Sequence, residues 1–202
     1  MTGLSSRILQ LADESAEGTL LCANALLHLG TRAAVDQALS RLARRGELMR
    51  ICQGVYVRPV QTRFGPCPPS IPKVLSSLST HWGETIVDAG GREANALGLT
   101  NQVPVRLVCL TSGPNRKLKF GRQIVELRHA PRWQLTAPHQ PAGAVVRALA
   151  WLGPGEVEEG LEQVGRRLLP EDLRELAKLR AVMPSWMAQS VSALVADGQH
   201  VL

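Results

Sequence analysis

The spacing of apolar residues at the start of the chain predicts three helices. The first covers residues 4–12 and the second, a short one, covers residues 23–29, each with apolar positions at helical intervals. The third has the clearest limits, because Thr31 suits an N-cap and Gly46 suits a C-terminal stop. Within those limits four apolar residues follow the i, i+3, i+4, i+7 pattern of one buried face: Val35, Ala38, Leu39 and Leu42.

A β-hairpin is predicted directly after the third helix. The β-prone runs 48–51 and 55–57 are separated by three residues, among which Gly54 can adopt a positive φ. Three helices followed by a hairpin is the element order of a winged helix-turn-helix. The sequence therefore predicts a winged helix-turn-helix domain over residues 1–60.

Prolines mark the next boundary. Five of the 13 prolines lie between residues 59 and 72, where they disfavour both helix and strand, so residues 61–72 are predicted to be a linker. Residues 73–202 are predicted to form an α+β domain with a helical C-terminal tail. Its predicted elements are strands at 85–88, 105–110, 117–120 and 124–128, a helix at 92–97, and helices from 142 onward. The fold class predicted for the whole chain is α+β.

The positive charge of the chain is concentrated in one segment. The 202 residues carry a net charge of +6, and residues 28–75 alone hold 8 Lys and Arg against 2 Asp and Glu. Such a local excess is typical of a protein that binds a polyanion. The chain has only seven aromatic residues, none before Tyr56, which disfavours recognition of single-stranded nucleic acid by base stacking. Duplex DNA is therefore the predicted partner.

The sequence also predicts where the protein works. No apolar run approaches the roughly 20 residues of a membrane span, and residues 1–10 do not resemble a secretion signal. The four cysteines lack the close spacing of a zinc site and are expected to be reduced thiols. We therefore expect a cytoplasmic protein without a membrane partner.

The polar face of the third helix provides the predicted DNA contacts. Gln37 can form paired hydrogen bonds with adenine, arginine can do so with guanine, and Ser40 can donate or accept. Asp36 is expected either to accept from cytosine or to pair with Arg32. Residues of the hairpin can reach phosphates or the minor groove, whereas Tyr56 is expected to pack in the core. The predicted DNA-binding residues are Arg32, Gln37, Ser40, Arg41, Arg44, Arg45, Arg50, Gln53 and Arg58.

A second group of basic residues surrounds the predicted strand at 117–120. Lys117 and Lys119 fall on one face of this strand, while Leu118 and Phe120 fall on the other. The group can be a solvated sheet face, a second phosphate contact or a surface for an acidic toxin. Its members are Arg116, Lys117, Lys119 and Arg122.

The sequence contains none of the common motifs of catalysis. It lacks H-E-x-x-H, the phosphate-binding G-x-x-x-x-G-K motif and G-x-S-x-G. Its five histidines have no ligand spacing: His28, His81, His129, His139 and His200. We therefore predict a protein that is not an enzyme and that has no cofactor and no metal site.

Several segments resemble one known family. The run 31–46, followed by G-V-Y-V-R-P at 54–59, is similar to the DNA-binding end of the AbiEi-type antitoxins. The segments 96–104, 110–113 and 184–186 are similar to the second domain of those proteins. The resemblance extends over almost the whole chain through short motifs whose order and spacing agree.

The resemblance implies a bacterial antitoxin of a type IV toxin–antitoxin pair. Its winged helix would repress its own operon at inverted repeats, and its second domain would oppose a nucleotidyltransferase-like toxin. The family's DNA-binding role would fall on Arg32, Gln37, Arg41, Arg44 and Arg45 of the helix and on Gln53 of the hairpin. The alternative is a ligand-responsive winged-helix repressor without a toxin partner. A third hypothesis is an enzyme that carries a DNA-binding module.

Overall fold

The fold was taken from a computed structural model that describes residues 3–199. His200 lies outside the described residues. Helices and strands are both abundant, which confirms the α+β class. In chain order the elements are α1 (Leu4–Glu14), β1 (Leu21–Cys22), a 3-10 helix (Ala23–Leu29), α2 (Arg32–Arg44), β2 (Met49–Cys52), β3 (Val55–Val57), β4 (Val60–Thr62), β5 (Gly65–Cys67), α3 (Ile71–Trp82), β6 (Ile86–Asp88), α4 (Gly90–Ala96), β7 (Leu107–Thr111), β8 (Arg116–Phe120), β9 (Gln123–His129), a 3-10 helix (Arg132–Leu135), α5 (Pro141–Leu152), α6 (Val157–Gly165), α7 (Pro170–Lys178), a 3-10 helix (Leu179–Val182) and α8 (Ser185–Gln199).

The chain divides into two compact units whose limits differ from the predicted domains. Unit 1 comprises the chain up to Glu84 together with Arg116–Glu126, and unit 2 comprises Thr85–Asn115 and the chain from Leu127 onward. A long-range return of the chain thus adds β8 and the start of β9 to unit 1. Hydrophobic periodicity is a local signal and does not reveal such a return.

The predicted linker at 61–72 is folded within unit 1. Strands β4 and β5 form an antiparallel hairpin in which Gln61 faces Pro66 and Thr62 faces Gly65, and α3 begins at Ile71. Proline is tolerated here because an isolated two-stranded hairpin has unpaired edges, and because the first turn of a helix needs no backbone N–H donor. The helix α3 was not predicted.

The core of unit 1 is built on the buried face of α2. The predicted face of Val35, Ala38, Leu39 and Leu42 is fully buried, and Ile8 of α1 packs against it. Tyr56 also belongs to this core, with 6% of its surface exposed, as predicted. A helix whose apolar face is buried in this way presents its polar residues on the opposite side.

The hairpin after α2 is confirmed and lies in a three-stranded antiparallel sheet. Strand β3 is central, with β2 on one side and β1 on the other, and β1 was not predicted. A bulge between Arg50 and Cys52 interrupts the β2–β3 register, and Gly54 takes φ +74° in the turn. Strand β2 also contacts β8, which is the neighbour of β9.

Unit 2 combines short strands with a helical layer. Strand β6 pairs antiparallel with β7, and the helices α5, α6, α7 and α8 share an apolar core that includes Val145, Leu149 and Leu161. The predicted strands, the helix after β6 and the helical tail are confirmed to within a few residues.

In the part of the chain that the structure describes, no helix is long and apolar enough to cross a membrane.

Candidate nucleic-acid interface

Helix α2 has the caps that the sequence predicts. The Thr31 side chain accepts a hydrogen bond from the Ala34 amide at 3.4 Å, and Gly46 takes φ +75° directly after the helix. The Glu47 amide donates to the Leu42 carbonyl across this turn at 3.0 Å. These bonds satisfy backbone groups that a helix leaves open at its ends, so both ends of α2 are firmly defined.

The polar face of α2 offers several exposed side chains. Gln37, Arg41, Arg44 and Arg45 are exposed, whereas Ser40 is half-buried. The hundred-degree step of the helix places Gln37, Ser40 and Arg44 on one side, opposite the buried core residues. This side can donate and accept hydrogen bonds and carries positive charge, as base edges and phosphates require.

Arg32 and Asp36 form an ion pair, which is one of the two arrangements predicted for Asp36. Arg32 Nε lies 3.0 Å from Asp36 Oδ2, and Arg32 Nη1 donates to Asn24 Oδ1 at 2.6 Å. Both ionic side chains are at least half exposed, and such surface pairs contribute little to stability.

The hairpin residues differ in their availability. Arg50 and Gln53 are exposed, and Arg50 Nε donates to the Cys52 carbonyl at 3.3 Å. Arg58 is instead held within unit 1, since its Nε donates to Asp13 Oδ1 and its Nη1 donates to the Glu47 carbonyl, each at 2.7 Å. Its side chain is only 29% exposed. These bonds fix the Arg58 side chain between α1 and the turn after α2, and its phosphate contact stays a prediction.

The second basic group lies in unit 1 and not in a separate domain. Lys117 and Lys119 are exposed while Leu118 and Phe120 are fully buried, as the strand alternation predicts. Arg122 is also exposed. One strand thus presents two lysines in the same unit as α2.

Arg116 departs from the rest of this basic group. Its Nη1 and Nη2 donate to the two carboxylate oxygens of Glu84 at 2.6 and 2.8 Å, and its guanidinium lies 4.1 Å from the centre of the Trp82 ring. The hydrogen bonds to Glu84 raise the pKa of the Arg116 guanidinium. Arg116 therefore fastens β8 to Trp82 and Glu84 at and just after the end of α3.

One basic residue was missed by the sequence analysis. Arg63 is exposed at the tip of the β4–β5 hairpin, where its guanidinium lies 4.7 Å from the centre of the Phe64 ring, and Phe64 is 83% exposed. The signal was Gly65, which can adopt a positive φ in a short turn and takes φ +103° here. The surrounding prolines favoured a linker instead.

The whole net charge of the protein belongs to unit 1. Its residues include 13 Lys and Arg against 7 Asp and Glu, a net charge of +6, whereas unit 2 has 10 of each and is neutral. The return of the chain that adds β8 supplies half of this excess. On this charge distribution, unit 1 is a more favourable surface for a polyanion than unit 2.

One cysteine lies next to a histidine: Cys22 Sγ is 3.7 Å from His81 Nε2, and burial raises the pKa of the Cys22 thiol. No cluster of three or more His, Cys, Asp or Glu that could hold a metal occurs among the described residues. All four cysteines are free thiols, and burial raises the pKa of Cys109 to about 12. A thiol of that pKa is protonated at neutral pH and is a poor nucleophile.

Comparison with known proteins identifies a family. No curated protein matches this chain. A crystal structure of the RV2827C protein from Mycobacterium tuberculosis is similar at 17% sequence identity and a TM-score of 0.55, over 98% of this chain and 78% of that one. At this identity the likeness concerns the fold alone. The sequence model of the Family of unknown function (DUF6088) matches residues 7–175, most of the chain, and the protein belongs to this family.

Proposed function

We propose that the protein is a DNA-binding transcriptional repressor whose unit 1 acts as a winged helix-turn-helix. In this proposal α2 is the recognition helix in the major groove, and the β2–β3 hairpin is the wing. The observation that carries the proposal is the placement of Gln37, Arg41 and Arg44 on the exposed side of a firmly capped helix, in the unit that holds the entire net charge.

The proposed contacts divide into two kinds. Gln37 lies in the first half of α2, the part of a recognition helix that reaches base edges, and is the proposed reader of sequence. Arg44, Arg45, Arg50, Gln53 and the exposed lysines of β8 are proposed to bind the phosphate backbone. Arg32 can join either group, since its pairing with Asp36 is exposed and readily exchanged.

Fluorescence anisotropy with the full chain tests the proposal. Labelled duplexes of the region upstream of its own gene, and scrambled duplexes of equal length, are titrated at several salt concentrations. We expect tighter binding to the upstream duplex and a linear fall of log K with log salt concentration, because bound phosphates release counterions. Replacing Arg41 and Arg44 together by alanine should weaken binding at least about tenfold.

A matched control separates this interface from general charge effects. Arg166 is an exposed arginine of unit 2 that pairs with Glu162, and Arg166→Ala removes one positive charge from outside the proposed interface. Binding by this variant should equal that of the unchanged protein. An absence of duplex binding, or an equal loss in the control, would refute the proposed interface.

The antitoxin role is a further part of the proposal and comes from the resemblance to the AbiEi-type antitoxins. Unit 2 would oppose a nucleotidyltransferase-like toxin, and unit 1 would repress the operon at inverted repeats. If such a gene lies next to this one, its expression alone should slow growth, and co-expression of the full chain should restore growth. The Arg41 and Arg44 double variant should still restore it, since neutralisation is assigned to unit 2.

A ligand-responsive repressor without a toxin is the second candidate function. The observation in its favour is a pocket of about 750 Å³ within unit 2, large enough for a small molecule. A transporter or metabolic enzyme encoded next to this gene would favour the ligand-responsive function over the antitoxin.

A further inference from the structure

The pocket in unit 2 is rich in arginine. Its wall includes residues of α4, β7 and α5 and of the segment 102–106, and four arginines line it: Arg92, Arg106, Arg128 and Arg147. None of the described residues that line it is acidic. Two of these arginines pair with carboxylates outside the lining: Arg92 with Asp88, and Arg147 with Glu93. Lining of this composition favours an anion.

Arg147 is the most unusual residue of this wall. Its side chain is 2% exposed, and its Nε and Nη2 both donate to the same oxygen of Glu93, at 3.1 and 2.8 Å. Its Nη1 is buried and has no hydrogen-bond partner among the described residues. A buried charged donor without a partner is costly, and an acceptor in the pocket would remove that cost.

The same pocket has apolar side chains that are unusually exposed. Trp151 is 45% exposed, and Val103 and Val105 are 75% and 100% exposed. The Trp151 indole lies against the backbone of Gly91, where a Cβ would stand 3.0 Å from the indole nitrogen. A fixed, half-exposed indole provides a flat surface on which a planar ring can stack. Grouped exposed apolar residues of this kind commonly mark a binding site.

We propose that this pocket binds a small organic anion with a planar apolar body. The anionic group, a carboxylate, sulfonate or phosphate, accepts a hydrogen bond from Arg147 Nη1 and is attracted by the half-exposed Arg92. The planar body lies on Trp151 and is covered by Val103 and Val105. The pocket volume of about 750 Å³ is within the range of small-molecule sites. This inference requires no contact with DNA and is independent of the proposed recognition helix.

A pair of fluorescent probes tests the inference on the full chain. The first, 1-anilinonaphthalene-8-sulfonate, has a planar ring system and one sulfonate, and the second, N-phenyl-1-naphthylamine, has the same rings without a charge. We expect saturable binding of the sulfonate at one site per chain. The neutral compound should bind at least about tenfold more weakly, because it makes no charge-assisted hydrogen bond.

Variants locate the bound probe. Arg147→Lys and Trp151→Ala should each weaken sulfonate binding about tenfold, and Arg92→Gln should weaken it severalfold. Arg92 is 52% exposed, so its replacement is compatible with folding and keeps the test informative if the buried Arg147 variant does not fold. The control is Arg166→Gln, which removes an exposed arginine of unit 2 that does not line the pocket and should leave binding unchanged.

Three results would overturn the inference. They are equal affinity for the charged and neutral probes, no saturable sulfonate binding, and an equal loss of affinity in Arg166→Gln and the pocket variants. None of these measurements involves DNA. The pocket, on which the ligand-responsive candidate function also rests, can therefore fail while the proposed DNA interface stands, and the reverse is equally distinguishable.

Discussion

The arginines of unit 1 fall into two groups. Some are bound to a carboxylate and hold parts of the fold together, whereas others have exposed side chains that a partner can contact. Arg58 and Arg116 each bind a carboxylate that is distant in the sequence, Asp13 and Glu84 respectively, and both arginines are less than a third exposed. In contrast, the side chains of Arg41 and Arg44 project from an exposed helix face. The number of arginines in unit 1 is therefore larger than the number of arginine side chains that are exposed to a partner.

Gln37 should determine sequence preference more than affinity in general. Gln37→Ala removes the amide that can pair with adenine, so we expect a loss of about 1–3 kcal/mol on the preferred duplex and little loss on scrambled duplex. Arg50→Ala provides the comparison, because a phosphate contact should weaken binding to both duplexes alike. Titrations of both variants against both duplexes measure this difference. An equal loss for Gln37→Ala on the two duplexes would contradict the placement of the helix.

Arg116 should matter for stability rather than for binding. Arg116→Ala removes two hydrogen bonds to Glu84 and the contact with the Trp82 ring, so we expect the free energy of unfolding to fall by about 1–3 kcal/mol. Lys119→Ala, on the same strand but exposed, should change it by less than about 0.5 kcal/mol. Urea unfolding followed by circular dichroism measures both values. Equal stability of the two variants would contradict the structural role of Arg116.

At the scale of elements, α4 and α5 pack closely because the residue of α4 at their contact, Gly90, has no side chain. A Cβ at Gly90 would stand 2.2 Å from the Arg147 carbonyl oxygen and 2.7 Å from the Trp151 Cβ. The backbone oxygen cannot move without shifting α5. The absence of a side chain at this position therefore sets the approach of the two helices.

Gly90→Ala should consequently destabilise unit 2. We expect a loss of roughly 1–3 kcal/mol or more, as is typical when an additional carbon is forced into a well-packed contact. Gly155→Ala is the matched control, because a Cβ there meets nothing within 4 Å, and it should change stability by less than about 0.5 kcal/mol. Thermal unfolding of both variants provides the comparison. Equal melting temperatures would show that α5 can shift at low cost.

At the scale of the whole molecule, the charge and the pocket lie in different units. Unit 1 holds the net charge of +6, and unit 2 is neutral but contains the arginine-lined pocket. A proposed polyanion surface and a proposed small-anion site thus belong to separate compact bodies. This division accommodates either proposed role of unit 2, as an antitoxin or as a ligand sensor.

The division also predicts how fragments behave. Residues 1–60 lack α3 and β8. Strand β8 contacts β2, and its residues Leu118 and Phe120 are fully buried. We expect this fragment to show no cooperative thermal transition, whereas residues 1–126, which contain all of unit 1, should show one. Circular dichroism melts of the two fragments measure this. A cooperative transition in residues 1–60 would instead support the domain boundary at residue 60 that the sequence predicts.

The sequence by itself determined those features that depend on near neighbours. The limits of α2 follow from Thr31, Gly46 and an apolar period of 3.6, and the alternation of Lys117 and Lys119 with Leu118 and Phe120 follows from the period of a strand. Such signals lie within a few residues of one another. For this reason the helix–hairpin order and the α+β class could be predicted before the fold was known.

Only the tertiary structure decided the features that depend on distant residues. The addition of 116–126 to unit 1, the pairing of Arg58 with Asp13 and of Arg116 with Glu84, and the burial of Arg147 beside Glu93 join positions that are 32 or more residues apart. Periodicity and capping contain no information about such contacts, because chain folding and not local spacing brings these residues together. The basic patches could be predicted from the sequence. The exposure of each arginine and the division of the chain into two units depend instead on how the chain packs.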